Sequence, residues 1–508
     1  MAINHFLLAC HTGCLSWARK YVLFPALAMA VVVLYLFRLD AAGVLGPDEP
    51  RYSAIGSAMA ASGDWITPRL WGSPWFEKPP LLYWLVALGS DVGLPPDLSG
   101  RLPIALLSLG FLALYFFLLR REFCFRTAAI ATLLLACSAG WLTYSCLSLT
   151  DLPLAVFFTV AVLAVLPLVC QFRLAQRGEV ILRFAIAGVA LGLAMLAKGL
   201  VPVALALPAA WFLRQYWRVW WIAVAGCLLV AGPWYWLVYA RNGFPFIQEF
   251  FLKHHLARLY STTLEHVQPW YFYIPVLLAA VFPWTPLLAL VAERRTLIEP
   301  RRQFLAVIVG FGFVFFSASL NKLPGYLLPL LPSLFILIAA WFEDRHIADL
   351  KRGWMVACAF CIAVVPFLAI VIPVLLTKPP DTGAVFSVFG RTPVTFALLP
   401  IGFALLARRR WLGPILIFSC VAASLYLKEA TYPALEQGAS PRELWREIQP
   451  QIAEVCDAGL NRAWRYGLAF YVGHPLPFCS TGPFKWELKQ QRNERPTLTP
   501  QVATTTLP

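Results

Sequence analysis

Charged residues are scarce in this chain: 13% of its 508 residues are Asp, Glu, Lys or Arg, whereas 60% are hydrophobic. The mean hydropathy is +0.70. A water-soluble core cannot absorb so much apolar sequence, so the composition excludes an ordinary soluble domain and indicates a polytopic helical membrane protein. Each ionisable group that lies near acyl chains then needs a partner or a function.

Metal-binding cysteine patterns and internal repeats are also missing. The 12 cysteines show none of the spacings with histidine that bind structural zinc, and Cys358 and Cys361 are predicted to pack within a helix. Cys456 and Cys479 share the C-terminal tail, and the sequence leaves open whether they form a disulfide. The formal net charge of +15 is explained by positive loops, which argues against nucleic acid as a partner.

Long apolar runs dominate the sequence and predict an all-α bundle of about 13 transmembrane helices. No small-residue cleavage site precedes Asp48, so the first helix is predicted to stay uncleaved. The predicted spans are 21–37, 101–119, 127–143, 152–170, 181–198, 200–214, 217–238, 270–291, 303–319, 324–341, 354–376, 393–407 and 411–427.

Basic residues concentrate in alternate loops, for example Arg120–Arg121 and Arg408–Arg410. Because positive loops stay cytoplasmic, the N-terminus is predicted inside and the C-terminus outside. The apolar stretch 81–94 is short, contains Ser90 and Asp91, and is predicted to lie at the interface or to re-enter rather than cross. Residues 39–100, called here the first loop, then form one long extracytoplasmic segment with interfacial helices.

The chain is predicted to divide into a transmembrane domain over 1–428, a small extracytoplasmic α/β domain over 429–491 and a disordered tail over 492–508. Ser440 is the expected N-cap of an amphipathic helix that continues through Ile452 and Val455. Turn residues at Gly473–Pro475 separate later short apolar runs.

Conspicuous polar residues fall beside or between the predicted helices on one side of the membrane. The orientation of the loops follows from the distribution of Lys and Arg and does not depend on where these residues meet. Their location on one side therefore favours a single site at the outer leaflet. These residues are Asp48, Glu49, Arg51, Tyr52, Glu77, Lys78, Asp151, Lys198, His254, His255, Asn321, Lys322 and Tyr326.

Cations held near an interface can neutralise a phosphate group at headgroup depth. A carboxylate beside a phosphate-linked leaving group can accept a proton from an attacking hydroxyl, and a second one can orient the first. The pattern therefore predicts group transfer from a lipid phosphate. The catalytic candidates are Asp48, Glu49 and Asp151, and the cations are Arg51, Lys78, Lys198 and Lys322.

Structural explanations compete with this interpretation. Lys198 lies at a helix end, where a lysine can extend to the lipid headgroups without any further role. Asp151 lies in a loop, which lowers the cost of a carboxylate near the membrane. Trp270, Tyr271 and Trp284 are more typical of an interfacial aromatic belt than of a sugar platform.

Several motifs occur in an order seen in one family, and the first loop is the most specific part. The motifs are Asp48-Glu49-Pro50-Arg51-Tyr52, 61–68 (ASGDWITP), Phe76-Glu77-Lys78-Pro79-Pro80 with Tyr83-Trp84, Thr150-Asp151-Leu152-Pro153-Leu154, Ala197-Lys198-Gly199 and Lys322-Leu323-Pro324-Gly325-Tyr326. Over roughly 20–430 the chain resembles the bacterial aminoarabinose (4-amino-4-deoxy-L-arabinose) transferases of lipid A and their relatives in the protein O-mannosyltransferase superfamily.

The resemblance implies a GT-C fold enzyme of a bacterial inner membrane, which moves a sugar with inversion from undecaprenyl phosphate on the periplasmic face. Asp48 matches the catalytic or acceptor-positioning carboxylate, and Asp151 matches the acid of the second loop. Residues expected to contact the carrier phosphate are Arg51, Tyr52, Lys78, Lys198 and Tyr326.

A divalent metal, zinc, is implied only as a possibility, with Glu77 and His255 as the matching positions. The neighbouring His254 leaves the histidine ligand ambiguous, and the outer tail is shorter than in the lipid A enzymes. The acceptor is therefore left as lipid A, another envelope glycan or a protein, and the sugar is not defined. A protein O-glycosyltransferase and a non-catalytic polyprenyl-phosphate transporter are the alternatives. The transporter would place functional polar residues on both faces or at mid-membrane.

Overall fold

The computed structural model describes residues 17–170, 176–256, 267–291, 293, 297–342, 352–377, 394–407, 409–491 and 494–501. The helices are α1 Trp17–Leu36, α2 Asp48–Ser62, α3 Leu81–Asp91, α4 Pro96–Glu122, α5 Phe125–Ala136, α6 Ala139–Ser145, α7 Asp151–Val165, α8 Arg177–Lys198, α9 Val201–Phe212, α10 Trp220–Asn242, α11 Phe244–Ile247, α12 Tyr273–Val281, α13 Leu288–Val291, α14 Pro300–Ala318, α15 Leu331–Trp341, α16 Arg352–Thr377, α17 Val394–Leu406, α18 Arg409–Gly438, α19 Pro441–Ile448 and α20 Arg462–Val472. The strands are β1 Arg69–Leu70, β2 Ser73–Pro74, β3 Val455–Asp457, β4 Trp486–Lys489 and β5 Thr497–Pro500.

Every apolar stretch predicted to span the membrane is helical, which confirms the all-α class of the bundle. In the described part of the chain, eight helices are long and apolar enough to cross, or up to ten if each of two bent helix pairs counts once. The bends are 64° between α5 and α6 and 116° between Trp270–Val281 and Thr285–Val291. Because α9 has 12 residues and α17 has 13, the larger predicted number of crossings stays a prediction.

Two segments form the centre of the bundle. The stretch Asp151–Val169 contains α7 and is 83% buried, and Pro324–Trp341, a 3₁₀ turn followed by α15, is 94% buried. Both are apolar on all sides, as expected for helices surrounded by other helices. Each begins beside one of the predicted polar motifs, so a deeply buried part of the fold positions Asp151 and Tyr326.

The first loop contains α2, a β-hairpin and α3. Asp48 and Glu49 lie in the first turn of α2, where acidic side chains favour the helix dipole. Gly63 ends the helix in the left-handed conformation with φ of 68°, which glycine adopts without strain. The structure therefore starts a helix at the polar segment, and both acids stand at its N-terminus.

Helix α3 is too short to cross a membrane. Its 11 residues extend about 16 Å, compared with about 30 Å for a hydrocarbon core. It packs closely on α2, since a Cβ at Gly56 would lie within 3 Å of Val86. Leu82, Tyr83 and Val86 are fully buried. Helix α3, which was predicted not to cross the membrane, is thus a buried element of the first loop that packs against α2.

The C-terminal unit, residues 439–491 and 494–501, combines helices with a three-stranded sheet of order β3-β4-β5. Strand β3 pairs parallel to β4, and β4 pairs antiparallel to β5. The Ser440 side chain accepts a hydrogen bond from the Arg442 N–H, which confirms the predicted N-cap. A disulfide joins Cys456 to Cys479.

Two predicted boundaries in this unit were wrong. Helix α19 ends at Ile448, because Pro450 in the following 3₁₀ turn cannot donate a backbone hydrogen bond, and Val455 begins a strand. The tail predicted as disordered from 492 contains β5, whose residues 497–500 pair with β4. Leu498 packs against the small core of the unit, which offsets the cost of ordering this segment. Residues 502–508 lie outside the described residues.

The C-terminal unit docks on the start of the first loop through Arg442. Its guanidinium donates to the carbonyls of Asp40 and Ala41 and to the carboxylates of Asp97 and Glu436. The Tyr471 hydroxyl donates to Asp97 over 2.6 Å and accepts from the Val44 N–H. Burial first, and then the negative charge of Asp97, raises the pKa of Tyr471, so this hydroxyl remains a donor at neutral pH.

Candidate active site

The first-loop cluster consists of Asp48, Arg51, Glu77 and Lys78. Arg51 pairs with Asp48 and donates from Nη1 to Glu77 Oε2 over 3.1 Å. Lys78 Nζ donates to Glu77 Oε1 over 2.9 Å. Arg51 and Lys78 are buried, whereas the Asp48 side chain is 36% exposed. Two cations are therefore fixed side by side, and Asp48 is the carboxylate of the cluster that an incoming molecule can reach most easily.

Aromatic rings surround Arg51. Its guanidinium carbon lies 5.5 Å from the ring centre of Trp75, 5.1 Å from Tyr466 and 5.9 Å from Tyr52. Burial by itself would lower the pKa of Arg51, but the nearby carboxylates of Glu77 and Asp48 raise it. Burial raises the pKa of Tyr52 well above its usual range, and Asp48 and Glu77 raise it further. The arginine is thus permanently charged, and the tyrosine is a neutral donor.

A second charged pair joins Asp151, at the start of α7, to Lys198, at the end of α8. Lys198 Nζ donates to Asp151 Oδ1 over 2.5 Å and lies 4.4 Å from the ring centre of Tyr326. The approach of the Tyr326 segment depends on Gly325, since a Cβ there would lie 2.5 Å from Asp151 Oδ1 and 2.7 Å from the Tyr144 hydroxyl. The motifs around 151, 198 and 326 therefore form one group, as predicted.

Tyr144 is a further residue of the second group. It lies in α6 and interacts electrostatically with both Asp151 and Asp48. Tyr144 was not predicted from the sequence, although it lies at the end of α6 and only a short loop separates that helix from the Thr150-Asp151 motif. The only available signal was its position beside that motif. The structure thus places Tyr144 beside Asp151 and Gly325, and Asp48 of the first-loop cluster acts on it electrostatically.

Glu49 was predicted as catalytic, but the structure places it in a buried structural network. Arg101 donates a hydrogen bond to each of its carboxylate oxygens, from Nε to Oε1 and from Nη2 to Oε2, both over 2.7 Å. The N–H groups of Leu45 and Ser148 also donate to this carboxylate. Its side chain is 2% exposed, so its oxygens are occupied and out of reach of a substrate. The catalytic assignment of Glu49 is therefore replaced by a structural one.

Arg101 is the partner that sequence reasoning missed. It also donates to the backbone carbonyls of Leu39, Ala42 and Gly43, and so closes the start of the first loop. A lone arginine in an apolar helix was a signal of a buried partner.

Lys322 has a similar structural role, because its Nζ donates to the carbonyls of Gln268 and Ser319.

The implied metal site is not formed by the described residues. Among them, no group of three His, Cys, Asp or Glu side chains could hold a metal ion. Both oxygens of Glu77 already accept hydrogen bonds from Arg51 and Lys78, so this carboxylate is poorly suited to bind a metal ion as well. The His255 side chain lies outside the described residues. Zinc therefore stays a prediction, and no chemical step is assigned to it.

Each of the two charged groups is neutral as a unit, because its cations and carboxylates balance. A phosphate that enters such a site gains little from net charge and instead replaces a carboxylate as the acceptor of existing donors. The preorganised Arg51 and Lys78 are suited to a phosphate oxygen, and the exposed Asp48 is suited to a hydroxyl or amine. The arrangement can hold a phosphate leaving group and position a nucleophile beside it.

Comparisons with known proteins show sequence and fold similarity. A sequence model of the dolichyl-phosphate-mannose-protein mannosyltransferase family matches residues 20–251. The undecaprenyl phosphate-alpha-4-amino-4-deoxy-L-arabinose arabinosyl transferase 1 of Pseudomonas fluorescens strain Pf0-1 is 32% identical over 342 residues, which are 63% of this chain and 58% of the relative. A transferase of the same description from Pseudomonas aeruginosa strain UCBPP-PA14 is 32% identical over 331 residues, 63% of this chain and 59% of the relative. The chain thus matches less than two thirds of the length of these relatives.

Two solved structures are similar over nearly the whole chain. The crystal structures of ArnT from Cupriavidus metallidurans, in the apo state and bound to undecaprenyl phosphate, have a TM-score of 0.71 and cover 94% of this chain and 87% of ArnT. The sequence identities are 25% and 26%. The fold and the site together define a multi-pass membrane protein with the GT-C glycosyltransferase fold. Within that class, the chain is aminoarabinose-transferase-like in both sequence and structure.

Proposed function

We propose that the protein is an inverting glycosyltransferase that moves a sugar from undecaprenyl phosphate to lipid A or another envelope acceptor. The observation that carries this proposal is the first-loop cluster, in which two buried cations lie beside one accessible carboxylate. The similarity to a structure bound to undecaprenyl phosphate supports the identity of the carrier.

In the proposed reaction, Arg51 and Lys78 bind the carrier phosphate and stabilise the charge that develops on it. The acceptor oxygen attacks the anomeric carbon from the face opposite the phosphate. The new carbon–oxygen bond forms as the bond to the phosphate oxygen breaks, and undecaprenyl phosphate leaves with the electron pair. Asp48 accepts a hydroxyl proton of the acceptor, or orients the acceptor if it is already ionised. Lys198, paired with Asp151 and placed against Tyr326, is a further cation for the carrier phosphate.

The site is proposed to face the periplasm from a bacterial inner membrane, with the N-terminus in the cytoplasm. The support is the distribution of basic loops such as Arg120–Arg121 and Arg408–Arg410. In this orientation the first loop and the C-terminal unit lie on the same outer side. Their direct contact through Arg442 and Tyr471 agrees with that placement.

The first prediction concerns Asp48→Asn and Lys78→Ala in a strain that lacks the native gene. Asp48→Asn should lower transfer by about 100-fold or more, since it removes the proton acceptor without changing the shape of the side chain. Lys78→Ala should weaken binding of undecaprenyl phosphate to the purified protein by about 10- to 100-fold, because a charged donor is lost. Mass spectrometry of envelope lipids and glycans measures transfer and identifies the sugar that the deletion removes.

Matched controls are Asp91→Asn, an exposed acid of the same loop, and Lys485→Ala, an exposed lysine of the C-terminal unit. Both should behave as the wild type. Normal transfer by Asp48→Asn and Lys78→Ala would contradict the site assignment. A deletion strain with an unchanged envelope, together with carrier binding that survives, would instead favour a transporter.

A further inference from the structure

The C-terminal unit places an aromatic residue directly on the phosphate-binding arginine. Tyr466 lies in α20, more than 200 residues beyond the segment 20–251 that the family model matches. Its ring centre is 5.1 Å from the guanidinium carbon of Arg51. Because the Arg51 side chain is only 4% exposed, this cation–π contact is largely shielded from water, the condition in which such contacts are strongest.

The hairpin of the first loop contacts the same ring. Trp71 stacks on Tyr466 with ring centres 5.8 Å apart and planes at 25°. Strands β1 and β2 are joined by Trp71 and Gly72, with φ values of 50° and 85°. Positive φ at both turn residues is typical of a type I′ hairpin, in which asparagine is favoured at the first position and tryptophan is strained. Local turn preference therefore does not explain Trp71, whereas its contact with Tyr466 does.

We propose that Tyr466 is a positioning residue for carrier binding, by which the C-terminal unit holds Arg51 in the orientation that receives the phosphate. Trp71 fixes the ring of Tyr466, and Tyr466 fixes Arg51 between itself and Trp75. The phosphate site is then complete only when the C-terminal unit is docked. This inference deepens the proposed function and depends on it in one respect, that Arg51 contacts the carrier phosphate.

The test measures the affinity of the purified full-length protein for undecaprenyl phosphate. Tyr466→Leu should weaken binding by about tenfold, within the range expected for a desolvated cation–π contact. Tyr466→Phe keeps the ring and should bind within about twofold of the wild type. The matched control is Phe478→Leu, which removes the aromatic partner of a different arginine in the same unit, Arg465, and should leave binding unchanged.

A double-mutant cycle separates positioning from general damage. In an Arg51→Met background, Tyr466→Leu should have little further effect on binding, because the group that it positions is already absent. A purely structural defect would weaken binding by the same factor in both backgrounds. Additive losses would therefore overturn the inference.

Trp71→Asn gives a second route if Tyr466→Leu does not fold. Asparagine suits the turn better than tryptophan, so thermal stability should be retained while binding weakens by about threefold or more. Unchanged binding by Trp71→Asn, with normal binding by any folded Tyr466→Leu, would overturn this inference alone. A wild-type protein that does not bind undecaprenyl phosphate would overturn the proposed function together with it.

Discussion

At the scale of single residues, Gly325 controls how closely the Tyr326 segment approaches Asp151. A Cβ at this position would lie 2.5 Å from Asp151 Oδ1 and 2.7 Å from the Tyr144 hydroxyl. Gly325→Ala should therefore displace Asp151 from Lys198, destabilise the protein by about 1–3 kcal/mol and reduce transfer by at least about tenfold. Envelope mass spectrometry and thermal unfolding of the purified protein measure the two effects.

Gly310→Ala is the matched control, since a Cβ at this position in α14 would have no other side chain or neighbouring helix within 4 Å. Alanine also favours a helix, so this variant should be as stable as the wild type or slightly more so. If Gly325→Ala retains full transfer, the tight contact between the Tyr326 segment and Asp151 has no role in the reaction.

The adjacent acids Asp48 and Glu49 show what a sequence can and cannot reveal about a site. The Asp-Glu-Pro-Arg-Tyr motif, the cost of charge near a membrane and the loop position correctly predicted a cluster that contains Asp48 and Arg51. The same reasoning predicted a catalytic role for Glu49 as well as for Asp48. Glu49 instead pairs with Arg101, which lies 52 residues away in the sequence and is brought to it only by tertiary packing. Long-range partners of this kind have no local signature.

At the scale of secondary-structure elements, the pair of Glu49 and Arg101 joins α2 to α4. Both side chains are less than 5% exposed, so the loss of one partner leaves a buried charge uncompensated. Glu49→Gln should destabilise the protein by about 3 kcal/mol, with a lower Tm and a parallel loss of folded protein. Asp48→Asn should leave Tm unchanged while lowering transfer by about 100-fold or more. A Glu49→Gln protein with normal Tm but no transfer would restore Glu49 as a catalytic candidate.

Element prediction succeeded where hydrophobic length was the deciding property. All long apolar stretches became helices, and 81–94 became the short helix α3. Prediction failed where pairing decided the structure. Strand β5 exists because β4 offers backbone partners and Leu498 meets a small core, neither of which is visible in the local sequence. The helix predicted to continue beyond Ile448 ends because proline at 450 removes a donor.

At the scale of the whole molecule, the C-terminal unit and the first loop form one structure although about 400 residues of sequence separate Arg442 from the carbonyls that it binds. Burial lowers the pKa of Arg442, but hydrogen bonds from its guanidinium to Glu436 and Asp97 and their negative charges raise it overall. The docking contact therefore persists at all pH values at which those acids are ionised. The sequence predicts both parts but carries no local signal of the contact between them.

Arg442→Met should undock the C-terminal unit while leaving the transmembrane bundle folded, because the two backbone carbonyls and two carboxylates lose a shared donor. The unit should become more sensitive to limited proteolysis near residue 439, and binding of undecaprenyl phosphate should weaken as Tyr466 leaves Arg51. Arg446→Met is the matched control, since Arg446 lies one turn further along α19 and is exposed. Increased proteolysis without weaker binding would mean that docking stabilises the unit but does not serve the phosphate site. If binding of undecaprenyl phosphate weakens in proportion to cleavage, the docked C-terminal unit contributes to the phosphate site.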